Sequence, residues 1–211
     1  GAMRTLGEPG SDGPANLRLA VQTAANPDAR GHGVLIAIGE QILAASEAVK
    51  THTQALGSFQ SGIGPVAIMD RQGVRFVRGA VRRRFVRTGG VDPSVDLHVM
   101  ATGSDDRLLR ASIETGAHGL VIEGTGAGNV PPAAVPAIRD ALKAGIPVVI
   151  ASRCGAGSVA PLYGYEGGGA QLHKLGCILG SDLVGQKARV LLMVALGAGL
   201  SDLALRALFE A

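Results

Sequence analysis

The chemistry open to this sequence centres on one amine. Between Ala45 and Gln54 the chain reads A-S-E-A-V-K-T-H-T-Q, and Lys50 stands there among small residues and hydroxyls, with the next lysine at Lys143. An apolar run just before it, Val34-Leu35-Ile36-Ala37-Ile38, reads as a buried strand. A lysine after such a strand, beside Thr51 and Thr53, can be stripped of water and kept neutral. A neutral amine is a general base toward a hydroxyl nucleophile. The competing reading of the same segment is a solvated surface lysine.

Other stretches admit chemistry less readily. Gly124-Thr125-Gly126-Ala127-Gly128-Asn129 lies between a strand and a helix, but Asn129 stands where a dinucleotide fingerprint needs its third glycine. The following strand also runs into Ser152-Arg153 rather than an acidic residue. A tight turn shaping a small-molecule pocket fits better than a nicotinamide site. His32, His52, His98, His118 and His173 have no metal-ligand spacing, and His98 and His118, at strands, read as hydrogen-bonded structural residues. No serine lies in a G-x-S-x-G elbow. Cys154 follows a strand, where a nucleophile can sit, but with no partner close in sequence it reads as a buried thiol, as does Cys177. Gly157–Gly169, G-S-V-A-P-L-Y-G-Y-E-G-G-G, places Tyr163, Tyr165 and Glu166 in a glycine-rich loop. It reads either as a gate with flexible hinges and an acid at its centre or as an ordinary surface loop.

The elements that must position these residues follow from composition and pattern. With 211 residues, 46% hydrophobic and 18% charged, the chain can bury a core and form one large domain or two small ones. Aromatics are only 3% and Trp is absent, so that core is built of Val, Leu, Ile and Ala. Pro14 suits the first turn of a helix capped by Asp12, and Asn26-Pro27 ends it. Val66–Met69 and Val74–Val77 flank a turn as a hairpin. From Asp96 onward short apolar runs alternate with helical periods, which argues for a parallel sheet covered by helices on both faces. The expected organisation is α/β: the remainder of a larger parallel-sheet domain over 1–80, a linker over 81–95, and a smaller parallel-sheet α/β domain over 96–211. Arg78, Arg82, Arg83, Arg84 and Arg87 concentrate the basic charge, yet no aromatic stacking module accompanies them, so a solvated linker is favoured over a nucleic-acid site. No stretch has the length and apolarity of a membrane span, and no signal peptide is visible, which points to the cytoplasm, with the periplasm as the alternative.

Taken together, the segments resemble the bacterial-type L-asparaginase/glutaminase family. G-A-M-R followed by D-G-P-A-N-L, Val49-Lys50-Thr51-His52-Thr53, Gln60-Ser61 and Gly64-Pro65 carry the likeness in the first part. G-A-H-G-L-V-I-E-G-T-G-A-G-N (116–129) and K-A-R-V-L-L (187–192) carry it in the second. Each motif is weak alone; their order over the whole chain makes them specific. The resemblance implies hydrolysis of asparagine, or of glutamine, to acid and ammonia through a threonine acyl-enzyme, with no metal and no cofactor. It implies that Lys50 is the catalytic lysine, that the backbone of Ala2 contacts the substrate amide, and that Glu166 is an acidic gate residue in a loop of altered length. It also implies a homo-oligomer, dimer or tetramer, in which a neighbouring small domain completes each site. The polar contact expected after the first strand of that domain falls near Thr102-Gly103-Ser104, where Gly103 has no side chain to offer.

The family's N-terminal segments carry the nucleophilic threonine and a T-D motif, and neither is among these residues. The expectation is therefore a hydrolase portion holding Lys50 without its triad partners, with a sheet edge and apolar faces exposed beside Val34–Ile38. Gly1-Ala2-Met3 can also be read as an expression remnant, in which case Ala2 has no role. The alternative function is a non-catalytic module that binds a small amino acid or amide, or a subunit completed by another chain.

Overall fold

Pro14 pre-sets the first turn of helix α1 (Gly13–Ala25), and Asn26 turns the chain out of it into a single 3-10 turn, Pro27–Ala29. The structure, a computed structural model, describes residues 1–80 and 84–210. The chain divides into two units, Gly1–Arg83 and Arg84–Ala211.

In the first unit, strands β1 (Leu35–Ile38) and β2 (Gln41–Ala44) form a hairpin around Gly39-Glu40. Both turn residues have positive φ, 58° and 63°, as a two-residue hairpin turn matched to strand twist requires. Glycine adopts this freely; Glu40 does so at a cost. A short ribbon follows, β3 (Val49–Lys50) against β4 (Phe59–Gln60), and then the expected hairpin, β5 (Ala67–Asp70) with β6 (Gly73–Phe76). The main sheet has the order β1-β2-β5-β6 and is antiparallel at every pairing, not parallel as expected. Its core is small: Leu19 of α1 packs with Ile42, Ala44, Val66 and Ala67.

β1 is an edge strand, only half-buried over Leu35–Ala37, rather than the buried strand read from its composition. Val34 before it is 76% exposed, and Leu17 and Val21 on α1 are 68% and 62% exposed. An open edge beside bare apolar side chains was expected there, and it is present.

The second unit holds β7 (Val95–Val99), α2 (Arg107–Glu114), β8 (Gly119–Gly124), α3 (Val135–Lys143), β9 (Val148–Ser152), α4 (Gly169–Leu175), β10 (Ile178–Val184), α5 (Gly185–Gly197) and α6 (Asp202–Phe209). Its sheet is parallel, in the order β10-β9-β8-β7. Strict alternation sends Leu120, Ile122, Val148 and Ile150 to one core, with Leu109, Ile138 and Leu172 from α2, α3 and α4. Val121, Val149 and Ile178 point to the other, with Leu192, Leu205 and Phe209 from α5 and α6. This is the doubly covered sheet that the apolar runs predict.

Residues 84–94, expected as linker, hold to this second unit. Arg84 donates to the Leu208 carbonyl and pairs with Asp182, the Asp92 amide donates to Met193, and the Asp92 carboxylate meets His118 at 2.7 Å. Arg82 and Arg83 lie outside the described residues. Among the described residues no helix is long and apolar enough to cross a membrane.

Candidate active site

The lysine is held by the β3–β4 ribbon. Lys50 pairs in register with Phe59, and its Nζ lies 5.8 Å from the centre of the Phe59 ring, within reach of a cation–π attraction. The side chain is exposed, which overturns the expectation that Lys50 is stripped of water by a buried parallel strand. The reason is topological. Two strands of two residues each have no covering layer of their own, and the lysine belongs to that ribbon instead of to the end of the preceding strand. The ribbon continues one residue past Lys50: the Thr51 amide and its Oγ1 both donate to the Ser58 carbonyl, at 2.7 and 3.1 Å. Beyond it, His52 Nδ1 accepts from the Gln54 and Ala55 amides and closes the loop.

Ser58 is fully buried, and its hydroxyl donates to Met3 Sδ at 3.1 Å. That contact brings the Gly1–Arg4 loop, with Ala2, to the ribbon that bears Lys50, although 48 positions separate Ala2 from Lys50. The loop is fixed from its other side by Asp12. Expected as a helix cap, Asp12 makes no cap bond; its carboxylate accepts the Met3 and Arg4 amides at 3.0 and 2.9 Å. These amides, with Asn16, hold the Asp12 carboxyl below the usual carboxylate range. Asn16, one helical turn later and only 4% exposed, spends both ends of its amide: Nδ2 donates to the Gly1 carbonyl and to Asp12, and Oδ1 accepts the Gly39 amide. Sequence reasoning missed Asn16 and Ser58. The D-x-x-x-N spacing, which places two polar side chains on one helix face, was the available signal for Asn16. Ser58, in a loop, carried none.

Glu47 anchors the start of the lysine stretch. It takes Arg78 at 2.6 Å and the Ser61 hydroxyl at 3.1 Å, while Arg78 also donates to the carbonyls of Gly64 and Pro65. Arg78, read from sequence as part of a solvated basic run, is thus an internal tie. A groove of ≈ 770 Å³ has Asp12, Asn16, Arg18, Glu40 and Asp70 on its wall, but not Lys50.

In the second unit the glycine-rich stretches gather at the carboxyl ends of the parallel strands. Gly124–Asn129 closes on itself: Thr125 and Asn129 bridge, the Asn129 amide donates to Thr125, and Ser152 Oγ donates to the Gly126 carbonyl at 2.6 Å. The tight turn was expected. A β-carbon on Gly128 would come within 2.5 Å of Val159. Glu166 is exposed, at the end of the loop after β9. The glycines behind it are not hinges. A β-carbon at Gly167 would overlap the Val130 carbonyl, one at Gly168 the Tyr163 carbonyl, and one at Gly169 would lie 2.6 Å from that of Ala160. Close backbone approach, not freedom, is what requires them.

Thr102 and Gly103 are exposed, and Ser104 Oγ accepts the Ala101 amide; this turn borders a hollow of ≈ 360 Å³ with His98, Asp105 and Arg107. His98 Nε2 meets Ser112 Oγ at 2.8 Å, and burial pushes the imidazole below its usual pKa. Cys154 is exposed, contrary to expectation, while Cys177 is buried and burial pushes its thiol to about 12. Among the described residues no cluster of His, Cys, Asp and Glu is arranged to hold a metal ion.

Comparison with known proteins agrees with the motifs. The family model "Asparaginase, N-terminal" matches residues 1–82, and "Glutaminase/Asparaginase C-terminal domain" matches residues 94–209. The chain belongs to the asparaginase/glutaminase family. It is 37% identical over 214 residues to a protein of Deinococcus radiodurans named probable L-asparaginase, covering 99% of this chain and 65% of that one. It is 34% identical over 197 residues to an L-asparaginase of Bacillus licheniformis, covering 93% and 61%. A glutaminase-asparaginase of Pseudomonas aeruginosa is 29% identical, covering 93% and 55%. The chain thus spans between 55% and 65% of the length of these relatives.

Proposed function

We propose that the protein hydrolyses the side-chain amide of asparagine, or of glutamine, releasing ammonia. The observation that supports this is the Met3–Ser58–Thr51 chain of contacts, which ties the residue after Ala2 and the residue after Lys50 to one serine, in a family whose relatives include named L-asparaginases. Lys50 accepts the proton of a threonine hydroxyl as that oxygen attacks the amide carbon; ammonia leaves, and water then cleaves the ester. The Ala2 backbone orients the amide, Glu166 is an acidic contact supplied by a neighbouring subunit's small domain, and subunits of a homo-oligomer share their sites. No metal or cofactor enters.

The test is ammonia release by the full-length protein from asparagine, glutamine and other small amides. Turnover of asparagine is expected; inertness toward every small amide would end the hydrolase reading. A second reading draws support from the exposure of Lys50: a module that binds a small amino acid or amide without turning it over. Calorimetry with asparagine, aspartate and glutamine separates the two, since binding without ammonia supports the module and absence of binding removes it.

A further inference from the structure

We infer that Asn16, acting with Asp12, is a positioning residue: it sets where the Gly1–Arg4 loop stands against the Lys50 ribbon, and so how the substrate amide is held. This rests on the hydrolase reading above and adds to it a pair of residues that never touch substrate.

Three groups converge on the Asn16 side chain. Its Nδ2 reaches the Gly1 carbonyl at 2.9 Å and Asp12 Oδ2 at 2.8 Å, and its Oδ1 receives the Gly39 amide at 3.0 Å. Asn16 is buried, so a bond lost leaves its carboxamide short of a partner. Asp12 passes the restraint on, since its carboxylate holds the next two amides, Met3 and Arg4. Met3 in turn reaches the buried Ser58 hydroxyl, whose residue holds Thr51 beside Lys50. Three separate stretches are therefore referred to one carboxamide: the loop with Ala2, the strained Gly39-Glu40 turn, and helix α1. A packing role alone would not need both ends of an amide used in opposite senses, with an acceptor toward the turn and donors toward the loop. An aspartate at position 16 would keep the first and lose the second.

The experiment is hydrogen exchange at the Met3 and Arg4 amides, together with steady-state kinetics on asparagine, in full-length wild type, Asn16→Asp and Asp12→Asn. Asn16→Asp keeps size and the Gly39 bond, so it guards against mere unfolding; circular dichroism checks that it is folded. Exchange at the two amides is expected to rise by about tenfold or more. KM is expected to rise about tenfold while kcat changes by less than about threefold, because orientation of the bound amide is lost and not the proton acceptor. Unchanged exchange in both variants overturns the inference whatever the activity. Raised exchange with unchanged KM overturns the substrate-positioning role. If wild type turns over no amide, the hydrolase reading fails by itself. Aspartate affinity by calorimetry then replaces KM, with a loss of about tenfold in Asn16→Asp supporting the positioning role and equal affinity overturning it.

Discussion

At the scale of single residues, Lys50 bears the most weight. If its amine takes a proton from the attacking hydroxyl, Lys50→Met in the full-length protein should lower kcat by about a hundredfold or more and leave KM within a fewfold. Parallel loss of binding with little loss of turnover, seen in steady-state kinetics, would contradict that role. Its place in the chain was legible, because one lysine among hydroxyls after an apolar run stands out. Its exposure was not, because that depends on which strand pairs with it and on whether anything covers the pair. The two cysteines make a second residue-scale case. With Cys177 buried and its thiol pushed to about 12, and Cys154 exposed, a thiol reagent at pH 8 should titrate one cysteine in the native protein and two in denaturant. His98 gives a pH dependence. Burial lowers its folded pKa, so the folded state binds this proton less well than the unfolded chain does. The stabilisation is fully present above the unfolded value of about 6.5 and is lost as pH falls toward the folded one. Urea midpoints measured from pH 7.5 to 5 should fall for wild type, and less so for His98→Gln, which keeps a partner for Ser112.

At the scale of elements, Gly167, Gly168 and Gly169 are required by close backbone approach, and this has consequences for stability. Gly167 combines φ +84° with direct approach of the Val130 carbonyl, so Gly167→Ala should cost about 2–4 kcal/mol in chemical denaturation. A mutable hinge would cost almost nothing. The Glu47–Arg78 tie makes a similar prediction. Glu47 is 12% exposed, so Glu47→Ala strands Arg78 and should cost about 1–3 kcal/mol by the same measurement. The elements of the second unit were readable because each carries several turns or several alternations of one period. β2, β3 and β4 were not. Two-residue strands have no period to detect, and a glutamate at positive φ hid the hairpin turn that makes β2 an antiparallel partner of β1. The same turn explains why the first sheet is antiparallel, since it returns the chain directly without a crossover helix.

At the scale of the whole molecule, the α/β class and the parallel sheet of the second unit followed from alternation of apolar runs and helices. The division into two units was less readable, because the arginines and turn residues of 84–94 resemble a linker while Arg84 and Asp92 bond within the second unit. Of the candidate site, Ala2 and Lys50 could be proposed from the sequence but the contacts of Asn16 and Ser58 could not, since these reach groups far along the chain. The bare rim of β1 bears on how these 211 residues behave in a tube. The outer side of β1, an edge strand preceded by the exposed Val34, is a template on which a second copy can lengthen the ladder. Sedimentation velocity should find association that grows with concentration. A charge at the rim, Val34→Lys, should suppress it and raise the yield recovered on refolding.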